Sequence, residues 1–191
     1  MDVCQAIAYA HSRGVIHRDL KPRNLVLTVE DDGSVLAQIV DFGIAKVIET
    51  DVDQSNTITQ TGEVFGSPLY MSPEQLMGKK VSGRSDVYSL GATFYQLTTG
   101  VAPFDGDSLA ALTYKIINQK HPALKTLRAD IPSSTIRVIN KALQKDPEKR
   151  FESALSMAQT LKKVILKQHN CIAKRWMKTT FLMTSFHLKH S

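Results

Sequence analysis

A short polar stretch near the start of the chain constrains the fold more than any other feature of the sequence. Residues 17–24 read His-Arg-Asp-Leu-Lys-Pro-Arg-Asn, and Asp41, the first residue of an Asp-Phe-Gly triplet, follows Asn24 by seventeen positions. A Ser-Pro-Glu triplet then ends at Glu74. Amide and carboxylate oxygens such as those of Asn24 and Asp41 are ligands that Mg²⁺ prefers in proteins. The ordered set therefore predicts two loops that together hold a hard cation.

This set of motifs resembles the C-terminal lobe of a eukaryotic-like Ser/Thr protein kinase of the bacterial receptor type. The resemblance covers residues 1 to about 161, and Lys21 is typical of the Ser/Thr branch. It implies a mainly α fold, in which a helical bundle carries a small β-hairpin with the catalytic and metal-binding loops. We expect a kinase C-lobe at residues 1–166 and a poorly ordered basic tail at 167–191. Because Met1 lies in the helix just before residues 17–24, we expect the N-terminal lobe to be absent.

The resemblance implies a role for each polar residue of the two loops in phosphoryl transfer from ATP. Asp19 is expected to orient the hydroxyl of a protein Ser or Thr, and Lys21 to place a cation against the transferred phosphate. Asp41 is expected to hold Mg²⁺ on the β- and γ-phosphates, and Asn24 a second Mg²⁺. Val26 is expected to pack under the adenine ring. ATP and Mg²⁺ are therefore the predicted cofactors.

Other residues are implied to hold the fold rather than to react. His17 is expected to pack against Phe42, and Glu74 to pair with Arg150 in a buried salt bridge. Asp86 is expected to accept backbone N–H groups of residues 17–24. The alternative for Asp86 is a surface carboxylate that stabilises a helix N-terminus.

Residues 44–74 resemble a kinase activation segment. The resemblance implies that Arg18 pairs with a phosphorylated residue of this segment, and Thr59 or Thr61 is the predicted site. A merely polar loop is the alternative. Ser67 stands where most Ser/Thr kinases have Thr, and its hydroxyl is expected to dock the substrate by bridging the two catalytic side chains.

Hydrophobic periodicity predicts a hairpin followed by helices only. The hairpin arms are expected at residues 25–27 and 37–40, with an Asp-Asp-Gly turn at 31–33. Gly14 and Gly100 are placed to end two of the helices. The predicted helices span residues 2–13, 85–99, about 108–119, about 133–144 and about 152–166. In the helix at 85–99, one apolar face is expected to consist of Val87, Leu90, Phe94 and Leu97.

The charge of the chain is distributed unevenly. The net charge is +6, but residues 162–191 contain seven Lys and Arg residues and no Asp or Glu. The first 161 residues are therefore close to neutral, so we expect no nucleic-acid partner, which would select a basic folded face. Basic and aromatic residues in the tail suggest contact with an anionic membrane surface. An unstructured tail is the alternative.

The two cysteines have no metal or disulfide spacing, and no apolar run reaches about 18 residues. These features predict a cytoplasmic protein, with the inner face of a membrane as the place where the tail would act.

The sequence leaves two functions open. The chain is either the catalytic half of a Ser/Thr kinase, active when another chain or a longer gene product supplies the N-lobe, or a non-catalytic remnant that binds partners through residues 85–144.

Overall fold

A computed structural model describes residues 2–41 and 68–167 of the 191-residue chain. Within these residues the protein is mainly helical, with one two-stranded sheet, as the sequence predicts. Short 3₁₀ helices lie at Pro22–Asn24, Pro68–Tyr70 and Pro147–Lys149. The longer elements are α1 (Asp2–Ser12), β1 (Leu25–Val29), β2 (Val35–Ile39), α2 (Pro73–Leu76), α3 (Gly83–Thr99), α4 (Leu109–Asn118), α5 (Leu124–Leu127), α6 (Ser133–Ala142) and α7 (154–167).

Helix α3 is the central element of the described structure. Ser82 caps its N-terminus in a capping box with Ser85, and Gly100 ends it with φ +85°, a left-handed conformation that favours glycine. Its middle is buried on all sides, so hydrophobic clusters form on both flanks. Leu97, which the periodicity assigns to the buried face, is 63% exposed. The last turn of α3 therefore extends beyond the core.

Two hydrophobic clusters pack against opposite flanks of α3. The first joins α1, α3, α6 and α7, and the second joins the 68–70 turn, α3, α4 and α5. None of the helices described in residues 2–41 and 68–167 is both long enough and apolar enough to span a membrane. Fully buried side chains of the first cluster include Ile7, Leu20, Leu90 and Met157, and those of the second include Tyr88, Tyr95, Ile116 and Ile139.

The β-hairpin brings two predicted ligand positions together. Strands β1 and β2 pair antiparallel from Leu25 opposite Ile39 to Val29 opposite Val35. The backbone N–H of Val40 donates to the carbonyl of Asn24 at 2.9 Å, so the ladder continues past the strand ends. Asn24 directly precedes strand β1, and Asp41 lies two residues after the end of strand β2. The hairpin thus fixes the two residues at the same end of the sheet.

Close packing of α3 against α6 makes Gly91 intolerant of a larger side chain. A Cβ atom at Gly91 would lie 2.7 Å from the Cβ of Ala142. We expect Gly91→Val to lower the free energy of unfolding by about 1–3 kcal/mol, because the two helices must separate. Urea denaturation measures the loss. Ala110→Val on the exposed side of α4 is the control, and an equal loss in both variants would contradict the packing argument.

Candidate active site

One buried carboxylate, that of Asp86, binds the backbone of the loop formed by residues 17–24. Asp86 is fully buried in the first turn of α3. Its Oδ2 accepts the backbone N–H of His17 at 2.8 Å, and its Oδ1 accepts that of Arg18 at 2.9 Å. Arg18 has φ +65°, which a non-glycine residue adopts at a cost unless its surroundings hold it there. The two hydrogen bonds from the loop to Asp86 supply that restraint.

A third donor to Asp86 is a histidine that the sequence analysis missed. The Nε2 of His11, on α1, lies 2.7 Å from Asp86 Oδ2. The ring lies against Gly83, where an added Cβ would approach the ring Nδ1 to 2.8 Å. His11 and Asp86 are 75 residues apart, so no local pattern joins them. The one signal in the sequence is Gly83, because a glycine at the first position of a capped helix indicates that another group packs closely against it.

A second residue that the sequence analysis missed supports the loop from α2. The side-chain Nε2 of Gln75 donates to the carbonyl of Arg18 at 2.9 Å. Its Oε1 accepts the backbone N–H of Ser72 at 3.0 Å, within a capping box that starts α2. The Ser-x-x-Gln spacing of such a box is visible in the sequence. It could have identified Gln75 as a fixed side chain, but not its contact with the loop.

The structure brings Asp19, Lys21 and Asn24 into one hydrogen-bonded group. Lys21 Nζ donates to Asp19 Oδ2 at 2.8 Å, and both side chains are less than one-fifth exposed. The Nδ2 of Asn24 donates to the backbone carbonyl of Asp19 at 2.9 Å. The 3₁₀ turn Pro22–Asn24 closes the loop, with Pro22 at its first position. A carboxylate, an ammonium group and an amide therefore share one rigid turn.

The donor atoms around Asn24 and Asp41 fit a hard cation. Because Asn24 uses its Nδ2 to bind the Asp19 carbonyl, its Oδ1 remains as an acceptor, and no hydrogen bond to it occurs within the described residues. Asp41 is exposed, with φ +57°. No described residue forms a hydrogen bond or ion pair with its carboxylate. One amide oxygen and one carboxylate, without sulfur or imidazole, suit Mg²⁺ better than a transition metal.

Val26 lies on the outward side of β1, and its side chain is 42% exposed.

His17 is buried, and burial lowers its pKa below the ordinary value for histidine, although the Asp86 and Asp19 carboxylates act in the opposite direction. The His17 ring is therefore neutral near pH 7.

The side chain of Arg18 is half-buried, and within the described residues its buried Nε has no hydrogen-bond partner. Phe42, Thr59, Thr61 and Ser67 lie outside the described residues.

Glu74 and Arg150 form a buried, fully hydrogen-bonded ion pair. The guanidinium contacts both Glu74 oxygens, at 2.6 and 2.8 Å. Its other N–H groups donate to the carbonyls of Arg84, Lys145 and Gln144, so all five donors are used. Ser85 Oγ also donates to Glu74, at 2.7 Å. Burial alone would raise the pKa of Glu74, but the hydrogen bonds from Arg150 and Ser85 outweigh it and hold the pKa below its usual range.

Comparison with known proteins identifies the family of this fold. The protein kinase domain family matches residues 1–165. The chain belongs to the protein kinase family. The kinase chain is 39% identical over 163 residues to the serine/threonine-protein kinase PknB of Mycolicibacterium smegmatis. It is 40% identical over 162 residues to the probable serine/threonine-protein kinase CPE1738 of Clostridium perfringens. These matches confirm the predicted bacterial eukaryotic-like Ser/Thr kinase family.

The matches cover most of this kinase chain but a small part of its relatives. Each of the two covers 85% of the chain, and they cover 25% of PknB and 22% of CPE1738. The chain therefore spans about a quarter of the length of these curated relatives. Among solved structures, the Rad53 kinase domain in complex with AMPPNP matches with a TM-score of 0.62 and 28% identity. That match covers 83% of this chain and 54% of the Rad53 chain.

We expect Asp86→Asn to loosen the loop of this kinase chain without unfolding the helical bundle. One of the two backbone N–H groups would then face an amide NH₂ instead of an oxygen, and an unmade buried hydrogen bond costs about 1–3 kcal/mol. Hydrogen exchange measured by NMR should show faster exchange at His17 or Arg18, by about tenfold or more. Asp107→Asn, at an exposed site, is the control. Unchanged exchange at both amides would contradict the anchoring role of Asp86.

We expect Arg150→Met to lower the free energy of unfolding by about 3–5 kcal/mol, because it leaves the Glu74 charge buried without its partner. Arg150→Lys should lose less, since lysine keeps the charge but offers three donors instead of five. Urea denaturation measures both losses.

The pH dependence of stability tests the same ion pair. Because the folded pKa of Glu74 is depressed, its contribution is complete above the pKa of an unfolded glutamate and is lost as the pH falls through the lower folded value. Glu74→Gln should therefore flatten the acid limb of the stability curve. An acid limb with the same slope in wild type and Glu74→Gln would contradict this assignment.

Proposed function

We propose that this chain is the large-lobe half of a Ser/Thr protein kinase that transfers the γ-phosphoryl group of ATP to a hydroxyl of a protein substrate. The observation that carries the proposal is the rigid turn that joins Asp19, Lys21 and Asn24. Positioned donors and acceptors are what phosphoryl transfer requires from a protein, since little covalent chemistry is left to it.

The chemistry we propose uses the two paired side chains of the turn. Asp19 accepts a hydrogen bond from the Ser or Thr hydroxyl and takes up its proton as the new O–P bond forms and the bond to the ADP oxygen breaks. Lys21 is ion-paired with Asp19 in the structure, 2.8 Å away. Its ammonium group turns toward the transferred phosphate when substrates bind, and it also keeps the Asp19 carboxylate oriented between turnovers.

We assign the cofactor contacts to three residues. The Asp41 carboxylate would hold one Mg²⁺ and Asn24 Oδ1 a second, and these ions would neutralise charge on the phosphates. Val26 packs against the adenine base through its exposed side chain. The solved Rad53 neighbour contains AMPPNP, which supports ATP as the nucleotide for this chain.

We assign regulatory and docking roles to residues around this centre. The half-buried Arg18 has a buried Nε without a hydrogen-bond partner within the described residues, which suits an arginine that receives a phosphate. Thr59 or Thr61 is the proposed phosphorylation site. Ser67 docks the substrate against Asp19 and Lys21, and Phe42 packs against His17.

We propose that a small lobe covers the hairpin and completes the nucleotide site. Both faces of the hairpin carry exposed apolar side chains, and a surface of this kind normally has a partner. The small lobe would come from another chain or from a longer gene product, and the 191 residues alone would transfer phosphate at a negligible rate. The exposed hairpin side chains are Val26, Leu27, Val29, Val35, Leu36 and Val40.

A second candidate function is a non-catalytic protein-binding module. It is favoured by exposed apolar side chains on and between the helices of residues 85–144, namely Leu97, Val101, Leu109, Tyr114 and Leu127. For either function we propose a cytoplasmic location, with the basic tail at 167–191 in contact with an anionic membrane. Phosphoryl transfer by the chain together with its small lobe distinguishes the two functions.

The first function predicts Mg²⁺-dependent binding of ATP to the purified chain, measured by calorimetry. Asp41→Asn should weaken binding by about tenfold or more, equivalent to about 1.4 kcal/mol or more, because a carboxylate ligand is lost. Asp107→Asn changes the net charge equally at a site outside the turn and should leave binding unchanged. ATP binding that ignores Mg²⁺, or that survives Asp41→Asn, would contradict the assignment.

A further inference from the structure

One face of the hairpin continues past the hydrophobic core and stays apolar to the end of the strands. Leu25 and Ile39 are paired across the hairpin, and both pack against the first cluster. Side chains alternate between the two faces of a strand, so Leu27 and the pair of Val29 with Val35 lie on this same face. These three side chains are each more than half exposed. We call them the overhang of the hairpin.

The overhang is not part of the nucleotide site that we propose. Val26, to which we assign the adenine contact, lies on the opposite face of β1, because it alternates with Leu27 along the strand. A small lobe placed over Val26 would therefore leave the overhang open. An exposed apolar group that continues from a core normally has a partner, and the nucleotide does not supply one here.

The turn next to the overhang is acidic. Glu30, Asp31 and Asp32 are all exposed. Within the described residues none of the three forms an ion pair, and Asp32 accepts the backbone N–H of Ser34 at 2.8 Å. Residues 25–40 contain no Lys or Arg that could compensate the three charges. The overhang and the turn together suit a partner that carries both cations and large apolar side chains.

The part of the chain that follows α7 has this composition. Residues 168–191 contain four Lys and Arg residues and no Asp or Glu. They also contain three large aromatic side chains, of which Trp176 stands between Arg175 and Lys178. A segment of this kind complements the hairpin in charge and in apolar character.

The end of α7 places the start of this segment on the same cluster as the hairpin. Leu161 and Val164, in the last turns of α7, pack against the cluster on which the base of the hairpin also packs. Trp176 is nine residues beyond Lys167, so the intervening chain can span at most about 30 Å. Three exposed lysines lie within residues 162–167, and this end of α7 would repel a basic segment rather than bind it.

We propose that residues 168–191 bind the hairpin of their own chain, with Trp176 on the overhang and the neighbouring cations against the acidic turn. Each exposed ion pair is weak, but a short tether gives an effective concentration that is roughly millimolar, so weak contacts are occupied. The contact goes beyond the proposed kinase function and does not depend on it. It excludes the proposed membrane contact while it is formed, because both use the same cations and aromatic rings.

Intrinsic fluorescence tests the contact directly, because Trp176 is the single tryptophan of the chain. We compare acrylamide quenching of the full 191-residue chain with that of a free peptide of residues 168–191. The quenching constant should be at least about twofold lower in the full chain, because an indole packed on apolar side chains loses exposed surface. The protection should be independent of protein concentration and should weaken at high salt, which screens the ion pairs.

Substitutions in the hairpin should remove the protection. Leu27→Ser takes an apolar side chain from the overhang, and Asp31→Lys reverses a charge of the turn, so both should raise the quenching constant toward that of the peptide. Leu97→Ser and Asp107→Lys are the matched controls, because they make the same kinds of change at exposed sites outside the hairpin. Both controls should keep the quenching constant of the wild type.

A wild-type quenching constant equal to that of the peptide would overturn the inference. Protection that grows with protein concentration would also overturn it, since a second copy would then supply the contact. The same holds for protection that arises only with vesicles that contain phosphatidylserine, because the segment would then bind a membrane and not the hairpin. An equal loss of protection in the hairpin variants and in their controls would place Trp176 elsewhere on the chain and would likewise contradict the proposal.

Discussion

The burial of the Asp86 carboxylate is the constraint on which the rest of the site depends. A buried charge is tolerated only when hydrogen-bond donors surround it, and Asp86 receives three, from His17, Arg18 and His11. Its place in the first turn of α3 adds the favourable field of a helix N-terminus. Because the donors come from α1 and from the 17–24 loop, satisfying this one charge fixes the loop against two helices.

The neighbouring residue extends the same arrangement to a second segment. Ser85 donates to Glu74, which is paired with Arg150, while Asp86 binds the loop. Two consecutive residues of α3 thus position both the 17–24 loop and the segment that enters α2. Gln75 connects the two segments directly, because its side chain donates from α2 to the Arg18 carbonyl of the loop. The loop is consequently held on both sides of Arg18, which explains how a left-handed backbone conformation persists there.

The sequence was informative wherever a pattern is local or a motif is long. Periodicity and glycine positions predicted the five longer helices and the hairpin to within a few residues, but not the four-residue helices α2 and α5, and motif order predicted the family. Glu74 and Arg150 lie together as the resemblance implies. His11 and Gln75 escaped prediction because their contacts join residues 75 and 57 positions apart. Leu97 was assigned wrongly, since periodicity shows which face is apolar but not where the core ends.

The 17–24 loop and the hairpin differ in the contacts that hold them in place. The hydrogen bonds described for the loop backbone are made with α2, with α3, with the hairpin at Asn24 and within the loop itself, so residues of this chain set its geometry. The hairpin differs, because Leu25 and Ile39 pack on the core while Val26 and Leu27 face solvent. In the function that we propose, an added lobe would therefore change nucleotide binding far more than the positions of Asp19 and Lys21, because it would hold ATP against a turn that is already formed.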